Sequence, residues 1–527
     1  MTQSTPTYDF DYIIIGSGFG GSVSALRLSE KGYKVLVLEK GKWLKEGDFP
    51  KTNWHLKKWL WLPALKFFGL FKLTPFRHVT VLSGVGVGGG SLVYANTLPV
   101  PKEKFFKAAS WAHLADWQAE LAPHYHTAQR MLGANPVPEK QVGDLALEQL
   151  AKEMGRADSF ESTRVAVFFG EPGKEVPDPY FDGRGPARSG CTQCGGCMLG
   201  CRYNAKNTLD KNYLYLAQRS GARIQAESEV VDVVPLGYEG QEGYEVVYQS
   251  STRWKGDKQR YRTRGVVFSG GVLGTIQLLL KLKVTSLPGL SDRLGYGIRT
   301  NSEALIAVTS PDKSKDFSKG VAIGSIMHPD DHSHLEPVRY PAGAGFWRIA
   351  MWPMVSGGNL FSRVGKLVWD WLSNPLQNLR VSTVDDWAKR TQILLFMQTI
   401  DSTLKFTRGW LGMRSLLDKG KAPSAFMPEA QELGERYGRI VNGKPTTLLS
   451  ETLLGIPTTA HILGGATMGT GKQDGVIDKD HRVFGYQNMY ICDGSAISAN
   501  IGVNPSLTIT ALTERAMSRI ADKTDRG

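Results

Sequence analysis

No uninterrupted apolar run of about 18 residues occurs in this 527-residue chain, which argues against a membrane-spanning helix. The opening MTQSTPTYDFDYIIIGSG has no cationic stretch followed by an apolar one, so no secretory signal is expected. The compartment implied is the cytoplasm, where thiols stay reduced and disulfides are rare. Cysteine is scarce, five in all, and four of the five crowd into CTQCGGCMLGC at residues 191–201. No recognised nucleic-acid-binding module is present either. The net charge of +13 comes from Lys and Arg spread along the chain, so no nucleic-acid partner is expected. What remains, 41% apolar and 21% charged residues, is the composition of a soluble globular protein too long for one small core.

The strongest local pattern opens the chain. DYIIIGSGFGGSVSALRLSEKGYKVLVLEKG reads as a strand over Tyr12–Ile15, a turn, a helix to about Lys31 and a second strand ending at Glu39. Gly16, Gly18 and Gly21 stand in G-x-G-x-x-G spacing. Gly16 permits the tight turn, Gly18 lets backbone approach a pyrophosphate, and Gly21 lets helix pack on strand, while the helix N-terminus faces the phosphates. Glu39 lies where an acid accepts hydrogen bonds from a ribose. The pattern alone does not choose between FAD and NAD.

Three further stretches bear on that choice. VLSGVGVGGGSLVYANTL (81–98) is a glycine-dense loop able to wrap backbone around a flat, extended cofactor, with Gly88, Gly89, Ser91 and Asn96 as its candidates. GVVFSGGVLGTIQLLLKL (265–282) is a strand, a glycine pair that includes Gly270, and a helix. MYICDGSAISANIGVNPSLTITALTERAMSRI (489–520) is a strand, Asp493, a loop and a long helix. Together with the N-terminal fingerprint these stretches resemble the glucose-methanol-choline (GMC) oxidoreductases.

The resemblance implies an α/β protein with a discontinuous Rossmann-like FAD-binding domain (8–100, 190–300 and 455–525) and a sheet-and-helix substrate-binding domain (101–189 and 301–454) of α+β character. It implies that Val230, in SEVVDVV, contacts adenine through its backbone, and that Asp493 and Gly494 hold the flavin phosphate and ribityl chain. Asp-Gly is also an ordinary turn pair.

His461, in TTAHILGGATMG, and Asn504, in GVNPSLTITAL, fall where this family places a His and a second His or Asn in front of the flavin. Asn at the second place resembles the cholesterol oxidase-like branch. The residue types suit the chemistry: His accepts a proton near neutral pH, and an Asn amide donates to a developing oxyanion without titrating. That branch also uses a carboxylate to shift a double bond, and Glu336 in HLEPVRYPAG is the candidate; the bland alternative is a surface Glu paired with Arg339.

Cys191, Cys194, Cys197 and Cys201 follow the C-x2-C-x2-C-x3-C spacing of [4Fe-4S] proteins, although Arg202 replaces the usual proline. A cluster is the leading expectation; zinc and reduced structural thiols stay open. Cys492 reads as a small buried residue. A cluster beside FAD would suit a dehydrogenase feeding an unidentified carrier.

Two stretches, WHLKKWLWLPALKFFGLFKLTPFRH (54–78) and FWRIAMWPMVSGGNLFSRVGKLVWDWL (346–372), interleave aromatic, aliphatic and basic residues. The first suits a segment resting on a bilayer, here the inner membrane face, or a lid, or alternatively a buried helical hairpin broken at Pro63. Both favour an apolar partner. The expected activity is FAD-dependent oxidation of a hydroxysteroid or related alicyclic alcohol. The alternatives are an FAD-containing isomerase of an unsaturated ketone and an oxygen-using oxidase.

Overall fold

A computed structural model of the chain describes residues 7–253, 256–355, 357–400, 402–410, 412–420 and 422–524. Strand Phe10–Ile15 pairs in parallel with Val35–Leu38 on one side and with Gln259–Phe268 on the other. Arg223–Gln225 extends the sheet beyond Val35–Leu38, and Met489–Ile491 adds in parallel beside Val266–Phe268. Tyr244–Ser250 and Ser228–Pro235 continue antiparallel from Gln259–Phe268, giving seven strands. The near-continuous apolar runs YIII and VLVL are buried, as expected of parallel strands covered on both faces. Helix Phe19–Glu30 packs on helix Tyr213–Arg219 and on the late helix Ser506–Ser518, so segments far apart in sequence close over one core. Helix Trp117–Met131 also packs on Ser506–Ser518.

A second sheet has five antiparallel strands in the order Ser333–Val338, Thr391–Gln398, Glu303–Thr309, Lys444–Leu448 and Met351–Pro353. Helices Val142–Glu153 and Pro428–Val441 pack on it. The molecule is thus mixed α/β, with a Rossmann-like sheet and a sheet-and-helix part.

The stretch 54–78 is not a helical hairpin. Pro63 opens a single 3-10 turn, Pro63–Leu65, between the paired strands Trp61–Leu62 and Phe67–Phe68, and Phe71–Pro75 follows as a third strand. Trp59 and Phe71 are buried and stack with centroids 5.1 Å apart, so these rings serve the core. Aromatic residues favour a pleated, half-buried surface, and proline halts any helix begun at Leu56–Trp59.

Candidate active site

A cavity of about 720 Å³ runs between the two sheets. One end is made by the glycine segments. Helix Phe19–Glu30 begins after Gly18 with no side-chain cap and no acidic residue in its first turn, so its leading N–H groups are left for an anion. Gly16 has φ +100°, and a Cβ there would stand 2.4 Å from the Ser269 carbonyl oxygen; only glycine fits. A Cβ at Gly18 would meet no protein atom within 4 Å, because it would enter the cavity. Gly21 closes the turn against the Gly16 carbonyl.

Glu39 lines the cavity, its carboxylate held by Ser17 Oγ (2.7 Å), the Ser17 amide (3.1 Å) and the Gly41 amide (2.8 Å). Gly89 lies against Gly18, and Gly88 adopts φ +101°. Ser91 Oγ bridges the Gly88 carbonyl and the Leu209 amide and so holds the loop's shape. Asn96 sits at φ +69° between the cavity-lining Ala95 and Thr97, and its buried amide has no partner among the described residues.

Across the cavity lie Val230, Gly270, Asp493 and Gly494. Asp493 accepts from Ser495 N (2.8 Å), Ser495 Oγ (2.5 Å) and Thr275 Oγ1 (2.5 Å). Burial pushes its carboxyl up, against those bonds. An uncapped helix start, a glycine cradle and two carboxylates fit FAD.

The other end of the cavity carries His461 and Asn504. His461 Nδ1 is 2.6 Å from Glu303 Oε1, and Glu303 also accepts from Thr459 Oγ1 (2.9 Å) and the Ala460 amide (3.1 Å). Donation from Nδ1 leaves Nε2 as the acceptor. Burial lowers the His461 pKa, but the charge and hydrogen bond of Glu303, helped by the charge of Glu336, lift it above the ordinary histidine value.

Asn504 Nδ2 donates to Glu336 Oε2 (3.3 Å), and His334 Nε2 lies 2.7 Å from Glu336 Oε1. Asn504 Oδ1 has no partner among the described residues. Glu336 is fully buried and is not among the residues that line the cavity. It is not a surface residue paired with Arg339, whose partner is Asp144 at 3.0 Å. Glu451, buried near Glu303, is pushed up to about 7 by burial, with Thr447 and Thr458 opposing and Glu303 adding.

The expected residues His461, Asn504 and Glu336 therefore converge, and two others, Glu303 and His334, hold them. Neither carried a motif. A lone acid opening the apolar strand EALIAVT was the available signal for Glu303, since a buried carboxylate needs partners. A base works unprotonated, so if His461 is the base, its raised value puts the acidic limb of a kcat/KM profile above that of an ordinary histidine. In Glu303→Gln the charge is gone, the His461 pKa falls and the limb moves to lower pH. A profile that does not move would show that His461 is not the titrating base.

The four clustered cysteines are free thiols lining a second, small cavity with Tyr203, Ala205 and Lys206. Cys191, Cys197 and Cys201 pack against Val165, Val167, Ala205 and Val321. Burial, reinforced by neighbouring cysteines, pushes Cys191 up to about 12. Burial also pushes Cys197 up to about 11, against the pull of Lys206. Among the described residues no group of three or more Cys, His, Asp or Glu is arranged to hold a metal ion. The expectations of an iron-sulfur cluster or zinc at Cys191, Cys194, Cys197 and Cys201 thus gain no support from the geometry, and neither does electron exit through a cluster.

The loop has a structural link to the cradle instead. Buried Lys206 donates to the carbonyls of Cys197 (2.8 Å), Tyr94 (2.9 Å) and Leu92 (3.1 Å), bracing the glycine loop that lines the cavity.

Residues 379–513 match the family model described as GMC oxidoreductase, and residues 14–44 match that of the NAD(P)-binding Rossmann-like domain. A cholesterol oxidase of Acinetobacter baumannii is 45% identical over 528 residues, covering 98% of this chain and 95% of that one. A cholesterol oxidase of Mycobacterium tuberculosis (strain CDC 1551 / Oshkosh) is 44% identical over 540 residues, covering 98% and 92%. The crystal structure of pyridoxine 4-oxidase from Mesorbium loti superposes with a TM-score of 0.61 over 97% of this chain and 98% of that one; at 14% identity it shows the fold alone.

Proposed function

Because this chain belongs to the GMC oxidoreductase family, in its cholesterol oxidase-like branch, and is an FAD-dependent alcohol oxidoreductase, we propose that its substrate is a hydroxysteroid or a similarly apolar alicyclic alcohol, oxidised to the ketone. The observation that carries this reading is the placement of His461 and Asn504 in a cavity whose wall includes Leu305, Val338, Trp347, Ile393 and Leu395 and which continues into the glycine cradle. Apolar walls offer a fused-ring substrate burial worth roughly 25 cal/mol per Å² and give a sugar nothing to bond.

FAD, when bound, supplies the two-electron acceptor for the hydride that leaves the carbinol carbon. We assign its binding to Gly16, Gly18, Glu39, Val230, Gly270 and Asp493, with the loop Gly88–Asn96. His461 Nε2 takes the hydroxyl proton, and Glu303 fixes the tautomer and stabilises the imidazolium that forms. An amide nitrogen carries two hydrogens; Glu336 holds one of those of Asn504, which leaves the other for the substrate oxygen as negative charge develops there. Glu336 is thus read as a positioning carboxylate, not as the base of a double-bond shift, because it is bonded to Asn504 and does not line the cavity.

The test is substrate competition. Cholesterol, a long-chain primary alcohol and glucose, each supplied with detergent, should be oxidised in that order of kcat/KM, with a ketone as the steroid product. Glucose or the primary alcohol reacting faster than the steroid would contradict the proposal.

A further inference from the structure

Two buried carboxyls, Glu303 and Glu451, grip the segment that carries His461. Glu303 takes N–H donors at both oxygens, His461 Nδ1 at Oε1 (2.6 Å) and the Ala460 amide at Oε2 (3.1 Å). Glu451, 2% exposed, takes the Thr458 amide at Oε1 (3.1 Å) and faces the Thr447 hydroxyl at Oε2 (2.5 Å). It sits on a π-helical turn, Ser450–Leu454, a rare form that recurs at functional sites. Thr458 and Ala460 are two residues apart, roughly 7 Å in extended chain, so the two carboxyls are neighbours.

The hydrogens at the two carboxyls differ. N–H groups only donate, so both Glu303 oxygens accept, as those of an ionised carboxylate do. A hydroxyl donates one hydrogen and also accepts. Thr447 Oγ1 lies 3.1 Å from the Leu305 carbonyl oxygen as well as 2.5 Å from Glu451 Oε2, and a carbonyl can only accept. Both contacts are satisfied together when Thr447 donates to Leu305 and Glu451 Oε2 carries a hydrogen donated to Thr447. An ionised Glu451 would compete with Leu305 for a single hydrogen and would set a second negative charge beside Glu303 in a buried site. Among the described residues no cation pairs with it. Helix Leu360–Ser373, which turns its apolar stripe of Phe361, Val364, Val368 and Leu372 outward, presents Arg363 to this turn, but Arg363 donates to the carbonyls of Leu453 (2.7 Å) and Gly358 (2.8 Å). Lys444, on the strand of Thr447, pairs with Asp370 (2.6 Å). The direction of titration agrees: burial, with Glu303 adding and the Thr447 and Thr458 bonds opposing, pushes Glu451 up to about 7.

We propose that Glu451 is a positioning residue for the oxidation, a carboxyl that keeps its own proton in the working enzyme and so fastens the base-bearing segment without a second charge beside Glu303. The inference rests on the reading of His461 as the base. Through the Thr458 amide Glu451 holds the start of that segment, and through Thr447 and Leu305 it ties the segment to the strand that carries Glu303. Glu303 then keeps the single charge that orients His461 Nδ1–H. Glutamine reproduces the neutral pattern, its carbonyl oxygen accepting from Thr458 and its amide nitrogen donating to Thr447.

The experiment compares the FAD-loaded parent with Glu451→Gln and Glu451→Ala. Anaerobic flavin reduction by cholesterol in detergent should slow about tenfold in Glu451→Ala at unchanged FAD content, and Glu451→Gln should recover most of that loss. Melting temperatures give a second readout. A carboxyl held above its ordinary value stabilises the fold below that ordinary value and loses the contribution as pH rises through about 7, whereas glutamine does not titrate. Between about pH 5 and about pH 8 Glu451→Gln should therefore gain about 3 °C on the parent. The infrared difference spectrum, parent minus Glu451→Gln, should carry the carbonyl band of a protonated acid at about pH 5 and lose it at about pH 8. A Glu451→Gln protein as slow as Glu451→Ala, a melting difference that is the same at both pH values, or no protonated-acid band would overturn the proposal. If Glu451→Ala does not fold, the melting and infrared comparisons of the parent with Glu451→Gln decide it. A parent whose flavin cholesterol does not reduce would count against the substrate reading instead, and the same two comparisons would still decide whether Glu451 holds a proton.

Discussion

A Gly18→Val protein is expected to fold and to emerge from purification colourless. A Cβ at this position meets no protein atom within 4 Å, so the seven-stranded sheet and its helices are expected to form in the variant. Its side chain would occupy the space in front of the uncapped start of helix Phe19–Glu30, where the pyrophosphate must come within hydrogen-bond reach of the backbone. The position separates binding from folding because its neighbours do not: a Cβ at Gly20 would lie 1.6 Å from the Cys492 carbonyl oxygen, so substitution there disrupts the fold first. Far-ultraviolet circular dichroism should match the parent, and the melting temperature should fall by the stabilisation that bound FAD contributes. A folded, fully yellow Gly18→Val protein would remove the glycine cradle as the cofactor site.

The second large effect is expected at the other end of the cavity. His461→Ala and Asn504→Ala should keep FAD, since neither belongs to the cradle, yet reduce flavin with a steroid alcohol about 100-fold or more slowly, the scale of losing a general base or an oxyanion donor. The two should differ in pH response. Without His461 the rate loses its acidic limb, whereas Asn504→Ala keeps it, because the His461–Glu303 pair is intact. Each variant also leaves a buried carboxylate, Glu303 in one and Glu336 in the other, without one of its partners, so both should melt below the parent. Reduction at the parent rate in both variants would place the chemistry elsewhere.

The parts of this site that could be read from sequence are those where backbone geometry constrains residue type over a short span. Gly16, Gly18, Gly21 and Glu39 lie in one strand-turn-helix-strand unit, and each meets a local requirement visible in the pattern. The pairing of His461 with Glu303, 158 positions away, has no local signature. The strand that carries Glu303 reads as an ordinary apolar run, and its acid gains meaning only when the sheet brings it beside Thr459. His334 is a different case: it stands two residues before Glu336 on the same face of one strand, a local spacing that carries no motif.

Elsewhere the pattern was visible and its direction was not. The spacing in 360–372 announces an amphipathic helix, but periodicity fixes only that an apolar stripe exists, not whether it faces the protein. The cysteine run shows the same limit: spacing suggests ligands, while the fold packs the sulfurs against valine and alanine.

The most direct measurement is anaerobic mixing of the purified protein with cholesterol in detergent micelles, following the flavin absorption band and the steroid products together. The account predicts that the band bleaches as ketone appears, one ketone for each flavin reduced, and that His461→Ala bleaches about 100-fold more slowly. A flavin that stays oxidised in the presence of steroid alcohol, while an unsaturated ketone is converted to its double-bond isomer, would contradict it.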